Sequence, residues 1–264
     1  MFDDVAASPY TVATIEMCRT QHRCILAPLS TRLEKPTPIA RAKARNLPSW
    51  SRLLLLPVED GGLATGVATR FGERIGGAVF IFACGPWLPK LFPDLLGDRI
   101  FVTRPEVLYF GPPAGDSRFA PPAMPAWIDF SEEMYGIPDI ESRGFKIALD
   151  RHGAPFDPDT GDRVAGATID TVRAYMARRF PALHDAPLVA AEVCQYENTC
   201  NGDFLIDRHP EFENVWLVGG GSGHGFKHGP VVGEYVARLV SEGGTIDGRF
   251  RLATKEKVQQ RAVY

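Results

Sequence analysis

Residues 214–230 read Asn214-Val-Trp-Leu-Val-Gly-Gly-Gly-Ser-Gly-His-Gly-Phe-Lys-His-Gly-Pro230, and this stretch decides the fold. Its first apolar residues, 215–218, form a short run that predicts a buried strand. Five glycines follow within seven positions, and Pro230 is typical of the first turn of a helix. We therefore predict a strand, a glycine-rich turn and a helix, whose bare backbone and positive helix end suit an electron-rich cofactor.

The glycine-rich turn matches no standard phosphate loop. A Walker loop needs lysine directly after its last glycine, whereas Phe226 separates Gly225 from Lys227. A dinucleotide fingerprint would need a third glycine at Phe226 and would open a βαβ unit. Close packing alone is one explanation of the glycines, and a nucleotide-binding module is another. His224 and Lys227 favour a ligand site, because a tight turn needs neither side chain.

Several further motifs accompany this stretch in a fixed order. They are Ala83-Cys-Gly-Pro-Trp87, Met134-Tyr-Gly-Ile-Pro138, Gly144-Phe-Lys-Ile-Ala148, Cys194-Gln-Tyr-Glu-Asn-Thr199 and Asp203-Phe-Leu-Ile-Asp-Arg-His-Pro210. Together they resemble the sarcosine oxidase-like, FAD-dependent amine oxidoreductases of the D-amino acid oxidase superfamily. The resemblance covers roughly residues 56–245.

Composition excludes several function classes. Hydrophobic residues make up 45% and charged residues 23%, with a net charge of −3, so neither nucleic acid nor an anionic membrane is an expected partner. No apolar run approaches the length of a membrane span. The five cysteines are odd in number and form no CxxC pair, which argues against a disulfide scaffold or a metal site. We expect a cytoplasmic protein, and the sequence leaves its oligomeric state open.

The resemblance implies an α/β fold in which an incomplete, Rossmann-like FAD-binding domain joins a substrate domain with a mixed, largely antiparallel sheet. Residues 56–98 and 191–264 are expected in the FAD domain and residues 99–190 in the substrate domain. Residues 1–55 stay unassigned. The family opens with a strand, a Gly-x-Gly-x-x-Gly turn and a helix, and residues 1–55 match no such unit. We therefore expect a shortened or rearranged member whose sheet exposes an edge.

Hydrophobic patterns place most of the remaining elements. The patterns predict strands at 53–58, 66–69, 78–84, 99–110, 126–130, 145–149 and 188–195, and a helix at 168–180.

Lys146, Tyr135 and Lys227 are catalytic candidates. Alternation puts Lys146 on the opposite face from Phe145 and Ile147, which alone is typical of a solvent-facing lysine. The resemblance implies instead that Lys146 is the lysine beside the flavin N5 edge that promotes reaction with oxygen. It also implies that Tyr135 is an active-site tyrosine and that Lys227 pairs with a substrate carboxylate.

Asp150 departs from the family pattern, which has a histidine four residues after the lysine. If Asp150 is catalytic, its negative charge favours a cationic amine. It could equally be a turn residue before Gly153.

The resemblance also implies a set of flavin-binding residues. They are Cys194, Gly221, Ser222, Gly223, His224, Gly225 and Lys227. Cys194 matches a cysteine that carries FAD through a thioether, although a buried structural cysteine fits the residue type as well. Cys200 and Asn201 stand where Pro-Asp is usual, which changes the local loop.

The implied function is FAD-dependent oxidation of the C–N bond of a small amine or N-methyl amino acid, with oxygen as the electron acceptor. The alternative is a non-catalytic remnant or a partner-binding fragment of such an enzyme, because no pyrophosphate-binding unit is recognised.

Overall fold

The computed structural model describes residues 11–18, 23–30, 54–57, 62–68, 74–161 and 164–260. The chain divides into two compact units, residues 1–101 with 197–259 and residues 102–196 with 260–264. The assignment of residues 56–98, 99–190 and 191–264 to cofactor and substrate domains stays a prediction.

The described residues are rich in strands and contain few helices. In chain order the strands are β1 Thr11–Cys18, β2 Arg23–Ser30, β3 Leu54–Pro57, β4 Ala64–Ala68, β5 Arg74–Gly76, β6 Val79–Ala83, β7 Phe101–Arg104, β8 Glu106–Phe110, β9 Trp127–Asp129, β10 Met134–Ile137, β11 Phe145–Leu149, β12 Ala154–Pro155, β13 Leu188–Val193, β14 Tyr196–Asn198, β15 Leu205–Arg208 and β16 Val215–Gly219. The α-helices are α1 Leu88–Leu91, α2 Pro93–Leu96, α3 Ile169–Arg179 and α4 Gly229–Ser241. Short 3₁₀ turns lie at Gly85–Trp87, Ser117–Phe119, Pro181–Leu183, Gly225–His228, Gly248–Phe250 and Leu252–Thr254.

The first unit is built on a five-stranded sheet of order β15-β16-β6-β1-β2. Strands β16 and β1 both run parallel to β6, whereas β15 and β2 pair antiparallel with their neighbours. Phe80, Ile81 and Phe82 of β6 are buried, as expected of a continuous apolar strand that is covered on both faces. Helix α4 contributes Val236 and Leu239 to a buried cluster that contains Ile81 of β6. A separate antiparallel sheet contains β3, β4 and β5.

The sequence predicts that this sheet lacks a first strand and exposes an edge, but the structure covers the edge of β6 with a further strand and makes β2 the outermost strand on that side. Strand β1 pairs with that edge in register from Val12 opposite Val79 to Glu16 opposite Ala83, and β2 folds back on β1 as a hairpin. The β1 sequence, TVATIEMC, is rich in β-branched residues, which favour strands even where no clean apolar period exists. Residues 32–45 are rich in Lys, Arg and Pro, a composition typical of a solvated segment, and they lie outside the described residues.

The second unit contains a five-stranded sheet of order β13-β8-β11-β10-β9, in which every neighbouring pair is antiparallel. Helix α3 covers one face, and its buried Val172, Tyr175 and Met176 pack into the core of that face. The largely antiparallel sheet that the sequence predicts is confirmed, and so is the helix predicted at 168–180.

The single strand predicted at 99–110 is wrong, because this segment forms two strands, β7 and β8, with Pro105 between them. Proline has no N–H to donate to a sheet ladder, so it is confined to strand ends and bulges.

Among the described residues, no helix is both long and apolar enough to cross a membrane.

Candidate active site

The predicted strand, turn and helix at residues 214–230 are confirmed. Strand β16 ends at Gly219, and the turn leads through the 3₁₀ segment Gly225–His228 into α4. Within the turn, the His224 N–H donates to the Gly221 carbonyl at 2.9 Å. The segment between β16 and α4 is therefore a compact turn with an internal hydrogen bond, and it leads directly into the first turn of α4.

Close packing explains part of the glycine content. A Cβ atom at Gly220 would lie 2.6 Å from Thr199 Cγ2, and the Gly220 φ of +71° is itself unfavourable for other residues. A Cβ at Gly219 would lie 2.8 Å from Glu197 Oε2. The turn thus lies directly against residues 197–199, which the sequence analysis did not connect with it.

Ser222 braces the turn from inside. It is fully buried, its Oγ accepts the Thr199 N–H at 3.2 Å, and its hydroxyl donates to the Gly220 carbonyl at 3.1 Å. These contacts give Ser222 a structural role, and direct flavin binding by its side chain stays a prediction.

The remaining turn residues differ in exposure. His224 is half-buried, with Nε2 2.9 Å from the Gly202 carbonyl oxygen. Gly225 is half-buried, whereas Gly223 and Lys227 are exposed, and Phe226 is 94% exposed. This end of the unit therefore presents bare backbone, an ammonium group and an aromatic ring to its surroundings.

In the second unit, the two faces of β11 separate as alternation predicts. Phe145 and Ile147 are fully buried, whereas Lys146 is half-buried on the other face. Lys146 pairs across the sheet with Tyr109 of β8 and Ile137 of β10, and its Nζ lies 5.5 Å from the centroid of the Tyr135 ring. This distance is within the range of a cation–π contact.

Tyr135 is the most strongly perturbed group on this face. Burial raises its pKa well above the usual value, and nearby Tyr196, Cys194 and Asp150 raise it further. Its phenol is therefore neutral at physiological pH. Four of the predicted residues, Lys146, Tyr135, Asp150 and Cys194, are thus brought into one neighbourhood.

Tyr196 and Tyr109 belong to this neighbourhood too, and sequence reasoning missed both. The side chains of Tyr135 and Tyr196 are hydrogen-bonded to each other. Burial raises the pKa of Tyr109, and Glu192 and Cys194 raise it further. Tyr196 follows Cys194 by two residues within the quoted motif, a signal that could have found it.

Asp150 and Cys194 lie just beyond the ends of β11 and β13. The Asp150 N–H donates to the Glu133 carbonyl at 2.6 Å, and the Cys194 N–H donates to the Pro105 carbonyl at 2.9 Å. Cys194 is half-buried, in contrast to the buried Cys84 and Cys200. Partial access is what a reactive thiol requires.

The donor set fits part of a flavin site. The glycine turn supplies backbone that a flavin ring can approach closely, next to a helix start and the Lys227 ammonium. The full sequence contains no Gly-x-Gly-x-x-Gly stretch to hold the pyrophosphate. Among the described residues, no three His, Cys, Asp or Glu side chains are grouped to hold a metal ion.

Residues 55–239 match the sequence model of a family described as DAO, FAD dependent oxidoreductase. The chain belongs to this family of FAD-dependent oxidoreductases. The predicted family, its enzyme class and its cofactor, FAD, are thereby confirmed.

Relatives and solved structures agree with this membership. Monomeric sarcosine oxidase from Streptomyces avermitilis is 37% identical over 188 residues, which cover 68% of this chain and 48% of that enzyme. Human peroxisomal sarcosine oxidase is 30% identical over 167 residues, covering 60% and 43%. Fructosyl amine:oxygen oxidoreductase (Amadoriase I) from Aspergillus fumigatus shares the fold, with a TM-score of 0.64 at 18% identity, covering 79% of this chain and 51% of that one. The chain spans about half the length of these relatives.

Proposed function

We propose that this chain carries the flavin-ring and substrate residues of an oxidase that acts on the C–N bond of a small amine or N-methyl amino acid. The observation that carries the proposal is the half-buried Lys146 ammonium beside the neutral, half-buried Tyr135, on the face of the sheet that α3 leaves uncovered. When bound, FAD would accept the two electrons from the amine. The sarcosine oxidase relatives support this class of substrate.

In this proposal Lys146 promotes the reaction with oxygen. A fixed ammonium stabilises superoxide as it forms, because the charge is already in place when the anion develops. The sheet holds Lys146 between β8 and β10, so little reorganisation is needed. Tyr135, kept neutral by burial, is able to donate a hydrogen bond to bound substrate.

Two charged residues would determine substrate specificity in this proposal. Asp150 lies close enough to Tyr135 to raise the pKa of that phenol, and its negative charge favours a cationic amine over a neutral one. Lys227 is exposed and able to pair with a substrate carboxylate. A small amino acid with a protonated amine offers both partners.

The glycine turn, in this proposal, contacts the flavin ring and not a phosphate. Gly221, Gly223 and Gly225 supply bare backbone, and His224, Lys227 and the helix start supply a positive field that favours the anionic reduced ring. Ordering of the turn around a nucleotide phosphate in a ligand-bound crystal structure would contradict this placement.

Cys194 decides how the flavin is held. Its thiol is half-buried, and a partly accessible thiolate is what attack on the 8-methyl carbon of the flavin ring would require. We define an extended form as this chain joined behind the N-terminal half of the Streptomyces avermitilis relative. If attachment is covalent, flavin stays with the acid-precipitated extended form and is released by Cys194→Ser. Flavin that washes out of the unmutated extended form would make Cys194 a structural thiol.

The experiment that tests the proposal is FAD titration of the 264-residue chain, followed by mixing with sarcosine in air-saturated buffer. We expect binding weaker than micromolar, and little peroxide, because the printed sequence has no Gly-x-Gly-x-x-Gly unit. The extended form should bind stoichiometrically and make peroxide. Tight binding and turnover by the chain alone would show that residues 1–55 build a cofactor site.

The alternative is a non-catalytic remnant or a partner-binding fragment. The missing Gly-x-Gly-x-x-Gly pattern favours it. Failure of both the chain and the extended form to bind any FAD would support the alternative over the oxidase.

A further inference from the structure

Glu197 lies against the glycine turn, and neither the motifs nor the family comparison assigns it a role. It is the middle residue of β14. Its Oε1 accepts the Gly221 N–H at 3.3 Å, and its backbone carbonyl accepts the Ser222 N–H at 3.2 Å. Glu197 therefore contacts the turn through both its side chain and its backbone.

The carboxylate fits closely onto the turn. Its Oε2 atom is buried, and a Cβ at Gly219 would lie only 2.8 Å from it. A Cβ at Gly221 would lie 3.5 Å from Oε1. The absence of side chains at both positions thus leaves room for a negatively charged group directly beneath the turn.

We propose that Glu197 tunes the charge of the flavin site, lowering the affinity of the turn for the reduced ring relative to the oxidised ring. This inference rests on the proposed function, which places the turn against the flavin. Reduced flavin carries a negative charge on its pyrimidine side, whereas oxidised flavin is neutral. A carboxylate that accepts the Gly221 N–H opposes the positive field of Lys227 and the helix start, so it repels the reduced ring more strongly.

A single charge in contact with the turn should have a measurable effect on a ring bound there. Two like charges within one turn of backbone interact appreciably even at a high effective dielectric constant. We expect Glu197→Gln to strengthen the binding of reduced FAD, relative to oxidised FAD, by about tenfold. For a two-electron couple this corresponds to a reduction potential about 30 mV more positive.

The test compares dissociation constants of the full chain for oxidised FAD and, under anaerobic conditions, for dithionite-reduced FAD. Glu197→Gln keeps an oxygen that can accept the Gly221 N–H but removes the charge. Glu197→Asp keeps the charge. Glu213→Gln is the matched control, because Glu213 is an exposed carboxyl in the same unit, on the turn before β16. Only Glu197→Gln should change the ratio of the two constants, while Glu197→Asp and the control keep the wild-type ratio.

The possible outcomes separate this inference from the function it rests on. An unchanged ratio in Glu197→Gln, with FAD still bound, would overturn the role of Glu197 and leave the proposed function standing. Equal loss of both forms of FAD in Glu197→Gln and Glu197→Asp would make Glu197 a structural brace and overturn the inference. Failure of both the wild-type chain and its extended form to bind either form of FAD, even weakly, would overturn the proposed function and this inference with it.

Discussion

The two faces of the five-stranded sheet in the second unit share one backbone and have opposite chemistry. On one face Phe145 and Ile147 are fully buried under α3. On the other, Lys146 lies among tyrosines whose pKa values are raised. A step of one residue along β11 therefore moves from the packed core to the titratable groups. Stability and chemistry should be separable by mutations at neighbouring positions.

The largest expected effect is on the packed face. Phe145→Ala removes a ring that lies 5.1 Å from Phe180, 5.9 Å from Phe119 and 6.2 Å from Trp127, measured between ring centroids. We expect the free energy of unfolding to fall by about 3–5 kcal/mol, because a buried cavity replaces the ring. Urea unfolding of the wild type, Phe145→Ala and Lys146→Met measures it. An equally large fall in the free energy of unfolding of Lys146→Met would contradict the assignment of stability to one face and chemistry to the other.

The next largest effect is on the opposite face and concerns rate. In the extended form, Lys146→Met should slow reoxidation of reduced flavin about a hundredfold to a thousandfold, or about 3–4 kcal/mol, and slow reduction by amine much less. Its free energy of unfolding should stay within about 0.5 kcal/mol of the wild type. Stopped-flow measurement of the two half-reactions decides between roles. Equal slowing of both would mean that Lys146 positions substrate or structure.

Local patterns predicted the elements whose hydrogen bonds and burial follow from their own sequence. Alternation predicted β11 at its observed bounds and placed Lys146 on the other face of the strand from Phe145. The apolar stripe located α3, and the glycine run with Pro230 located the turn before α4. In the strand and the helix, a period of 2 or 3.6 residues is set by the backbone geometry itself, whereas the turn follows from its residue types.

Contacts between segments distant in sequence were not predictable in this way. Strand β1 is recognised as part of the first sheet only through its pairing with β6, far along the chain. Glu197 reaches Gly221 across 24 residues. The side chain of Tyr196 is hydrogen-bonded to that of Tyr135, which lies 61 positions earlier in the chain. No periodicity encodes such partners, because they depend on which strands become neighbours.

A smaller effect is expected at Gly136, where a substitution should disturb the packed face and Lys146 together. Gly136 of β10 has no room for a side chain, since a Cβ there would lie 2.4 Å from Trp127 Cζ2 and 2.7 Å from the Lys146 carbonyl oxygen. Gly136→Ala should lower the free energy of unfolding by about 1–3 kcal/mol through overpacking. It should also shift Lys146, so that oxygen reactivity in the extended form falls as well.

The matched control for this substitution is Gly233→Ala in α4, where nothing lies within 4 Å of the added Cβ. We expect it to be neutral or to stabilise the chain by about 0.5–1 kcal/mol, because alanine favours a helix interior. Equal destabilisation by both alanines would remove the steric explanation.

The smallest expected effect uses pH to tell the tyrosines of the two faces apart. Tyr175 on the packed side is buried, and its hydroxyl donates to Asp129 Oδ2 at 3.0 Å. Burial, together with the hydrogen bond to Asp129, raises the pKa of Tyr175 to about 12. An unfolded tyrosine ionises near pH 10. The contribution of Tyr175 to the free energy of unfolding is therefore fully present below about pH 10 and is lost as pH rises toward 12.

Tyr175→Phe should lower the free energy of unfolding by about 1 kcal/mol at pH 7 and flatten the alkaline fall in stability. The fall that remains belongs to groups such as Tyr135 and Tyr109, whose pKa values are also raised. Urea unfolding between pH 8 and about pH 11 measures it, and an unchanged alkaline slope in Tyr175→Phe would mean that the packed face contributes no titrating group.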